Sequence, residues 1–287
     1  MVFAEFKEAL TLVGKTPVLW ITGIVAGLLA ALLWILYNIS GAFFALRLIL
    51  IAALVMLLFV AGTFVLVKKN ANDTGTLLRD GTRYYFKVLL PWLVVFFALM
   101  IIFFLIVFLA IAATGGGTGY EAAGLLAIFV MIPTLYLTFF CDTAAVFEDC
   151  KVFESLRRSI RAVATHAWEV LGFFIICCIF AFADLFVFAM IWEALLFEKL
   201  QPLYTYYSSP GYNETQLAEM MAPHNMIAMI GPDGMWITAA VIFASLIVLV
   251  PVLLAYKACF YRKLIGSPVA IQQTTGEYDS KGRWYKY

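Results

Sequence analysis

Three charged side chains interrupt long apolar segments of the chain, and a charge in such surroundings can do chemistry. Arg47 lies near the start of one segment, and Asp184 and Glu193 lie together in another. A charge at the middle of a bilayer costs about 2.5–3.5 kcal/mol, so it normally faces protein or water and often marks a path for protons or solutes. These three residues are therefore the candidate intramembrane polar groups.

Asp184 is the deepest of the three. At about 1.5 Å per helical residue it lies about 16 Å from the outer boundary of its segment, and no basic residue lies at that level in any apolar segment. Two interpretations follow. Asp184 is a protonatable group on a transport path, or it is a neutral carboxyl bonded to a neighbouring carbonyl or hydroxyl group.

Arg47 and Glu193 lie at similar depths, about 6 Å and about 3 Å from the outer boundary. The match predicts an ion pair between the second and fifth apolar segments. Two alternatives remain for Arg47, which could instead extend its guanidinium to water along an apolar stem or line a functional cavity.

Arginines form a second candidate site, just before the fifth apolar segment. Arg157, Arg158 and Arg161 lie off an apolar stripe with helical spacing, formed by Val152, Leu156, Ile160 and Val163. The pattern predicts an amphipathic helix on the membrane surface, with Asp149 placed to cap its start. The arginines would hold lipid phosphate or an acidic partner segment, or they would dock the helix on nearby carboxylates, namely Asp142, Glu148 and Asp149.

Six long apolar segments must position these residues. Hydrophobic residues make up 64% of the 287 positions and charged residues 13%, against about 45–50% and about 25% in soluble domains. A transmembrane helix needs about 20 apolar residues. The segments that reach this length are 18–38, 43–67, 88–113, 122–146, 168–196 and 235–257. The sequence thus predicts an all-α integral membrane protein with six transmembrane helices.

Basic residues fall in alternate connecting segments, which predicts the orientation. Only Arg47 and Lys199 depart from this alternation. The positive-inside rule places the segments rich in Lys and Arg in the cytoplasm. Both chain ends are then cytoplasmic, in a multi-pass protein of the cell membrane.

The chain shows a faint internal repeat. Amphipathic stretches that begin near residues 3, 73 and 150 each lead into a pair of apolar segments. The pattern predicts three helical hairpins, each preceded by a cytoplasmic interfacial amphipathic helix. We expect a single membrane domain over 1–287, with repeat-like units at about 1–70, 71–147 and 148–265 and a polar C-terminal tail at 266–287.

The outward segment 197–234 is the longest connection and is rich in Tyr and Met. Such a surface suits contact with another membrane protein or with lipid. Asn213-Glu-Thr215 within it is a glycosylation acceptor pattern, and Asn38-Ile-Ser40 is a second one close to the bilayer. In the first apolar segment, Gly23 and Gly27 permit close helix approach, either within the chain or in a dimer.

The stretch from Phe147 to Trp168 resembles a motif of a known family. An acidic pair, a spacer and Glu154-Ser-Leu-Arg-Arg-Ser-Ile-Arg161 lead to a Trp at the membrane entry. This is similar to polytopic proteins related to the membrane domain of bacterial glycerophosphoryl diester phosphodiesterases. The resemblance implies a shared membrane scaffold. It does not carry over the hydrolytic activity, which belongs to a separate soluble barrel absent from this chain.

The sequence contains no arrangement of a nucleophile with a base, no phosphate-binding glycine loop and no zinc-binding spacing. We therefore expect no enzymatic activity, no cofactor and no metal. The net charge of +1, without a basic block, gives no reason to expect a nucleic-acid partner. We expect a non-enzymatic scaffold or accessory protein that binds membrane lipids or partner proteins. The alternative is a transporter or permease for a small solute or lipid that uses Asp184.

Overall fold

The computed structural model of the chain describes residues 2–114, 119–208, 213, 215–216, 223–266, 276–278 and 284–286. The described chain is helical except for a short antiparallel hairpin of two strands in the tail. The helices are α1 Val2–Lys15, α2 Leu19–Ser40, α3 Ala42–Lys69, α4 Thr74–Thr114, α5 Gly119–Thr138, α6 Cys141–Phe147, α7 Val152–Thr165, α8 Ala167–Leu195, α9 Phe197–Tyr207 and α10 Pro223–Ile265. The strands are β1 Gly276–Tyr278 and β2 Trp284–Lys286.

Six helical segments are long and apolar enough to cross a membrane, as the sequence predicts. They are Leu19–Ser40, Ala42–Lys69, Thr74–Ala112, Leu126–Phe147, Ala167–Leu195 and Ala228–Ile265. Most of their side chains face outward, which in water would expose a large apolar surface. The chain is therefore a multi-pass membrane protein.

The ends of several helices differ from the sequence pattern. The second predicted amphipathic stretch is not a separate helix, because α4 continues without a break from Thr74 past Pro91 to Thr114. The fourth apolar segment is divided between α5 and α6 by a turn at Phe139 and Phe140. Within α10, Gly231 adopts a non-helical conformation (φ 66°, ψ −170°) immediately before Pro232. A positive φ is accessible to glycine without steric cost.

The described chain forms two compact units. Unit 1 comprises Met1–Gly14, Leu57–Ile175 and Leu254–Tyr287, and unit 2 comprises Lys15–Met56 and Ile176–Leu253. This division does not follow the repeat-like units of the sequence, which stay a prediction.

An aromatic core holds unit 1 together. The ring centroid of Phe173 on α8 lies 4.6 Å from that of Tyr256 and 4.8 Å from that of Phe260, both on α10. It lies 5.5 Å from the ring centroid of Phe140. Phe140 also stacks on Tyr261 at 5.8 Å. These rings are almost entirely buried, so the core fixes the start of α8 and the end of α10 against the turn before α6.

Close helix approach organises unit 2. A Cβ atom added at Gly23 would lie 2.5 Å from the carbonyl oxygen of Ile247, and one added at Gly27 would lie 2.7 Å from that of Phe243. The two glycines of α2 therefore pack directly against α10, which is the intramolecular alternative predicted from their spacing. Trp34 on α2 adds a hydrogen bond from its indole Nε1 to the carbonyl oxygen of Met235, at 3.2 Å.

Candidate functional site

Two deeply buried charges of unit 1 form an ion pair with each other. Lys257, near the end of α10, is 6% exposed, and Asp142, in the first turn of α6, is 4% exposed. The Nζ atom of Lys257 lies 2.7 Å from Oδ2 of Asp142. Burying two charges is costly unless further polar contacts satisfy them, so their surroundings determine what the pair can do.

Aromatic side chains surround the ammonium group of Lys257. Its Nζ atom lies 4.1 Å from the ring centroid of Phe139, 5.6 Å from that of Phe64 and 5.9 Å from that of Trp92. The negative faces of aromatic rings attract cations, most strongly where water is excluded. The rings therefore supply favourable surroundings for a charge that has lost its hydration.

The carboxylate of Asp142 is satisfied as well. Its Oδ1 atom accepts the backbone N–H of Thr143 at 2.6 Å and the Thr143 hydroxyl at 3.1 Å. Trp92 donates its indole N–H to Oδ2 at 3.3 Å. With both charges compensated by protein groups, the pair connects α10 to α6, and Trp92 connects α4 to it as well.

The sequence pattern does not reveal this pair. Lys257 is one of the basic residues whose alternation predicts the orientation, and Asp142 is predicted only to dock the amphipathic helix. In the structure both helices extend beyond the predicted segments. The available signal was a lone Asp directly after an apolar run, with aromatic residues on either side of it.

Further ion pairs join distant parts of unit 1. Lys69 at the end of α3 binds Asp80 on α4 at 2.6 Å, and Lys87 on α4 binds Asp149 at 2.7 Å. The end of α10 is joined to α1 by two more pairs, Arg262 with Glu8 and Lys263 with Glu5.

Asp149 does not cap α7, which corrects the sequence interpretation. Lys151 is the residue immediately before α7, and no side chain caps the helix. Asp149 instead takes a left-handed backbone conformation (φ 55°) and directs its carboxylate to Lys87. The hydrogen bond from Lys87 holds the pKa of Asp149 below its usual range. Next to it, burial raises the pKa of the Cys150 thiol to about 11, which keeps this thiol neutral.

Helix α7 packs on the rest of unit 1 through two serines together with one residue of its apolar stripe. Ser155 and Ser159 are fully buried with Val163. The Ser159 hydroxyl donates to the carbonyl oxygen of Leu137 at 2.8 Å and accepts the backbone N–H of Phe140 at 3.1 Å. This hydroxyl satisfies two backbone groups at the break between α5 and α6.

The packing of α7 leaves apolar and basic side chains on its other faces. Phe153 is 75% exposed and Ile160 is also exposed, as is Trp168 at the start of α8, at 85%. Arg157 and Arg161 are exposed too. The guanidinium group of neither arginine has a hydrogen-bond or ion-pair partner among the residues that the structure describes.

Arg158 differs from the other two arginines. Its guanidinium lies 3.4 Å from Glu148 and 3.5 Å from Glu154. Of the three acids predicted to dock α7, Glu148 therefore does so, whereas Asp142 and Asp149 bind lysines of other helices.

The three candidate intramembrane charges of unit 2 are not brought together. Asp184 on α8 is 8% exposed and accepts a hydrogen bond from the Ser245 hydroxyl on α10 at 2.6 Å. Glu193 accepts the Tyr204 hydroxyl of α9. Arg47 is exposed and lies over the ring of Phe43 at 3.9 Å. Among the described residues no ion pair joins Arg47 to Glu193, so the predicted pair is wrong, because each side chain has a nearer aromatic partner.

The outward segment 197–234 is described only in part. In unit 2, Leu200 of α9 and Leu196, the residue just before α9, pack on Ile230 of α10. Residues 209–212, 214 and 217–222 lie outside the described residues, as does the side chain of His224. The predicted partner surface therefore stays a prediction. Within the described part of the chain, no group of three or more His, Cys, Asp or Glu side chains could hold a metal ion.

The chain belongs to the family described as "Domain of unknown function (DUF7847)", whose model matches residues 1–264. No curated protein and no solved structure matches the chain. The resemblance to the membrane domain of the phosphodiesterases stays a prediction.

Proposed function

We propose that this member of the DUF7847 family is a non-enzymatic scaffold of the cell membrane that binds anionic phospholipid headgroups along α7. The observation that carries the proposal is the arrangement of α7. Exposed Phe153 and Ile160 lie beside exposed Arg157 and Arg161, while the serine face of the same helix is held by protein.

The distribution of charge supports an orientation with both termini in the cytoplasm. Seventeen of the nineteen basic residues lie in segments that the positive-inside rule assigns to the cytoplasm. They are Lys7, Lys15, Lys68, Lys69, Arg79, Arg83, Lys87, Lys151, Arg157, Arg158, Arg161, Lys257, Arg262, Lys263, Lys281, Arg283 and Lys286. The inner leaflet carries anionic lipid, to which such residues are attracted.

In this arrangement the spans form three hairpins, introduced by α1, by the first turns of α4 and by α7. The third of these helices has the features of an interfacial helix. Its exposed apolar side chains would enter the acyl boundary, and its arginines would lie at the level of the phosphates. Trp168 would anchor the entry of α8 at the same depth, since Trp prefers the interface.

The pairing of charges explains why only some arginines would bind lipid. In unit 1, Glu5, Glu8, Asp80, Asp142, Glu148 and Asp149 each already bind a Lys or Arg. Arg157 and Arg161 have no such carboxylate among the described residues. Guanidinium groups can contact phosphate oxygens through two hydrogen bonds, so a phospholipid headgroup satisfies both their charge and their geometry.

Lipid retention by the purified full-length protein tests the proposal. Native mass spectrometry would follow the titration of phosphatidylglycerol, with zwitterionic phosphatidylcholine as the reference lipid. Each basic residue near an anionic surface contributes about 1 kcal/mol, so the double variant Arg157→Gln/Arg161→Gln should bind phosphatidylglycerol roughly 30-fold more weakly. Phosphatidylcholine binding should not change.

Arg158→Gln is the matched control, because Arg158 lies on the same helix but binds Glu148 and Glu154. It should leave phosphatidylglycerol affinity unchanged. Equal affinities in the double variant and the unsubstituted protein would contradict lipid binding at this site. An equal loss in Arg158→Gln would assign the effect to general charge rather than to the exposed arginines.

Transport that uses Asp184 is the second candidate function. The burial of this carboxyl group at mid-span favours it. The Ser245 contact between α8 and α10 equally supports a structural carboxyl. Asp184→Asn keeps a hydrogen-bond acceptor for Ser245 but cannot release a proton. Unchanged proton flux across proteoliposomes carrying this variant, relative to the unsubstituted protein, would leave only the structural role.

A further inference from the structure

We propose that Asn213 is a site of N-linked glycosylation and that Asn38 is not. Both residues begin an Asn-x-Ser/Thr pattern, Asn38-Ile-Ser40 and Asn213-Glu-Thr215, and both lie on the outward side in the proposed orientation. The sequence pattern alone does not separate them. The inference rests on that orientation and is independent of lipid binding at α7.

The amide of Asn38 is already engaged. Asn38 lies in the last turn of α2, within the span Leu19–Ser40, and its Nδ2 atom donates to the carbonyl oxygen of Trp34 at 2.7 Å. Its Oδ1 atom is buried. A transferase would have to unwind the end of a membrane helix to reach this nitrogen.

Asn213 differs in every one of these respects. It is exposed and lies between the spans Ala167–Leu195 and Ala228–Ile265, far from either in sequence. Its Oδ1 atom accepts the backbone N–H of Thr215 at 2.9 Å, which is an Asx turn. Its own backbone N–H donates to the Tyr206 hydroxyl at 3.3 Å. The Nδ2 atom has no partner among the described residues and is the atom that glycosylation uses.

The reaction needs a glycan donor of one chemical class, a lipid-linked oligosaccharide diphosphate. The Asn213 Nδ2 atom forms a bond to the anomeric carbon of the first sugar, and the bond from that carbon to the phosphate oxygen breaks. The lipid diphosphate leaves with the electron pair, and one amide proton passes to a base of the transferase. Thr215 is exposed and supplies the hydroxyl of the acceptor pattern.

Translation of the full chain into microsomes that contain an active oligosaccharyltransferase tests the inference, with a known glycoprotein in the same reaction to establish that the transferase works. We expect one glycan per chain, removed by peptide N-glycosidase. Asn213→Gln and Thr215→Ala should abolish it, Thr215→Ser should retain it, and Asn38→Gln should have no effect. An unmodified chain, or a glycan that only Asn38→Gln removes, would overturn the inference.

A cysteine introduced at Ser208, an exposed position just after α9, separates failure of the site from failure of the orientation. A membrane-impermeant maleimide would be applied to sealed vesicles, with the unsubstituted protein as the reference. Labelling from the lumenal side together with an unmodified Asn213 would refute the glycosylation site alone. Labelling only from the cytoplasmic side would refute the orientation, and with it the site.

Discussion

Lys257 shows how a single residue can hold several helices together. A lysine that is 6% exposed has lost nearly all of its hydration, which is strongly unfavourable for a charge. The carboxylate of Asp142 and the faces of three aromatic rings replace the lost water. Asp142 in turn has its own donors from Thr143 and Trp92, so neither charge is left uncompensated.

Removing one partner of this pair should therefore destabilise the protein severely. Lys257→Met leaves the Asp142 carboxylate buried without its cation, and such a loss costs about 3–5 kcal/mol. The double variant Lys257→Met/Asp142→Asn leaves no unpaired charge and should recover part of that loss. Reversible unfolding of the full chain in detergent would measure both differences.

Lys87→Gln is the control for the buried pair. It removes the ion pair with Asp149, in which both side chains are largely exposed, and exposed pairs contribute about 0–1 kcal/mol. If Lys257→Met were no more harmful than Lys87→Gln, the buried pair would not stabilise the fold.

The exposed pair should give the stability a measurable dependence on pH. The Lys87 contact lowers the pKa of folded Asp149 from the ordinary aspartate value of 3.8. The contribution of this ion pair to the free energy of unfolding is therefore complete above about pH 3.8. It is lost as the pH falls through the lower pKa that Asp149 has in the folded state.

Asp149→Asn should be less stable than the unsubstituted protein at neutral pH, and the two should converge at strongly acidic pH. Unfolding temperatures measured across this range test the point. A constant difference at every pH would contradict a role for the Asp149 charge.

At the scale of elements, the contact between α2 and α10 in unit 2 depends on the absence of side chains. Alanine is normally favoured over glycine in a helix by about 0.5–1 kcal/mol. At Gly27, however, the added methyl would meet the carbonyl oxygen of Phe243 at 2.7 Å, and the two helices would have to move apart. Overpacking of this kind costs about 1–3 kcal/mol.

The sign of the stability change on replacing glycine with alanine thus distinguishes a glycine in close helix contact from one with open space around it. Gly27→Ala should lower the unfolding temperature. Gly14→Ala in α1 should raise it slightly, since nothing lies within 4 Å of the added atom. A Gly27→Ala protein of unchanged stability but altered oligomeric state would instead support the dimer that the sequence left open.

Helix α7 shows which features of a helix can be predicted from its sequence pattern and which cannot. Its existence follows from apolar residues at helical spacing, and α7 spans Val152–Thr165. Most of its contact face does not follow from that pattern, because Ser155 and Ser159 are polar and lie off the stripe. Hydrophobicity cannot identify a face that binds through hydroxyl groups to carbonyl and N–H groups at a helix break, since the break itself comes from the tertiary fold.

At the scale of the whole molecule, six spans could be predicted because the bilayer imposes one simple requirement on length and composition. Their polar contacts could not, because these depend on which helix ends meet. Lys257 and Asp142 are 115 positions apart, and each resembles an ordinary charged residue at a membrane boundary. Asp184 can be singled out from its depth alone. Its partner Ser245 cannot, because nothing in the sequence distinguishes it from other hydroxyl residues within the spans.

The attachment of α1 to the end of α10 has a consequence for biosynthesis. Glu5 and Lys263 are 258 residues apart, and Glu8 and Arg262 are 254 apart. The ribosome therefore delivers α1 well before its binding partners on α10. These two ion pairs cannot form until the end of α10 has been synthesised. Formation of these two pairs therefore follows the synthesis of all six described spans.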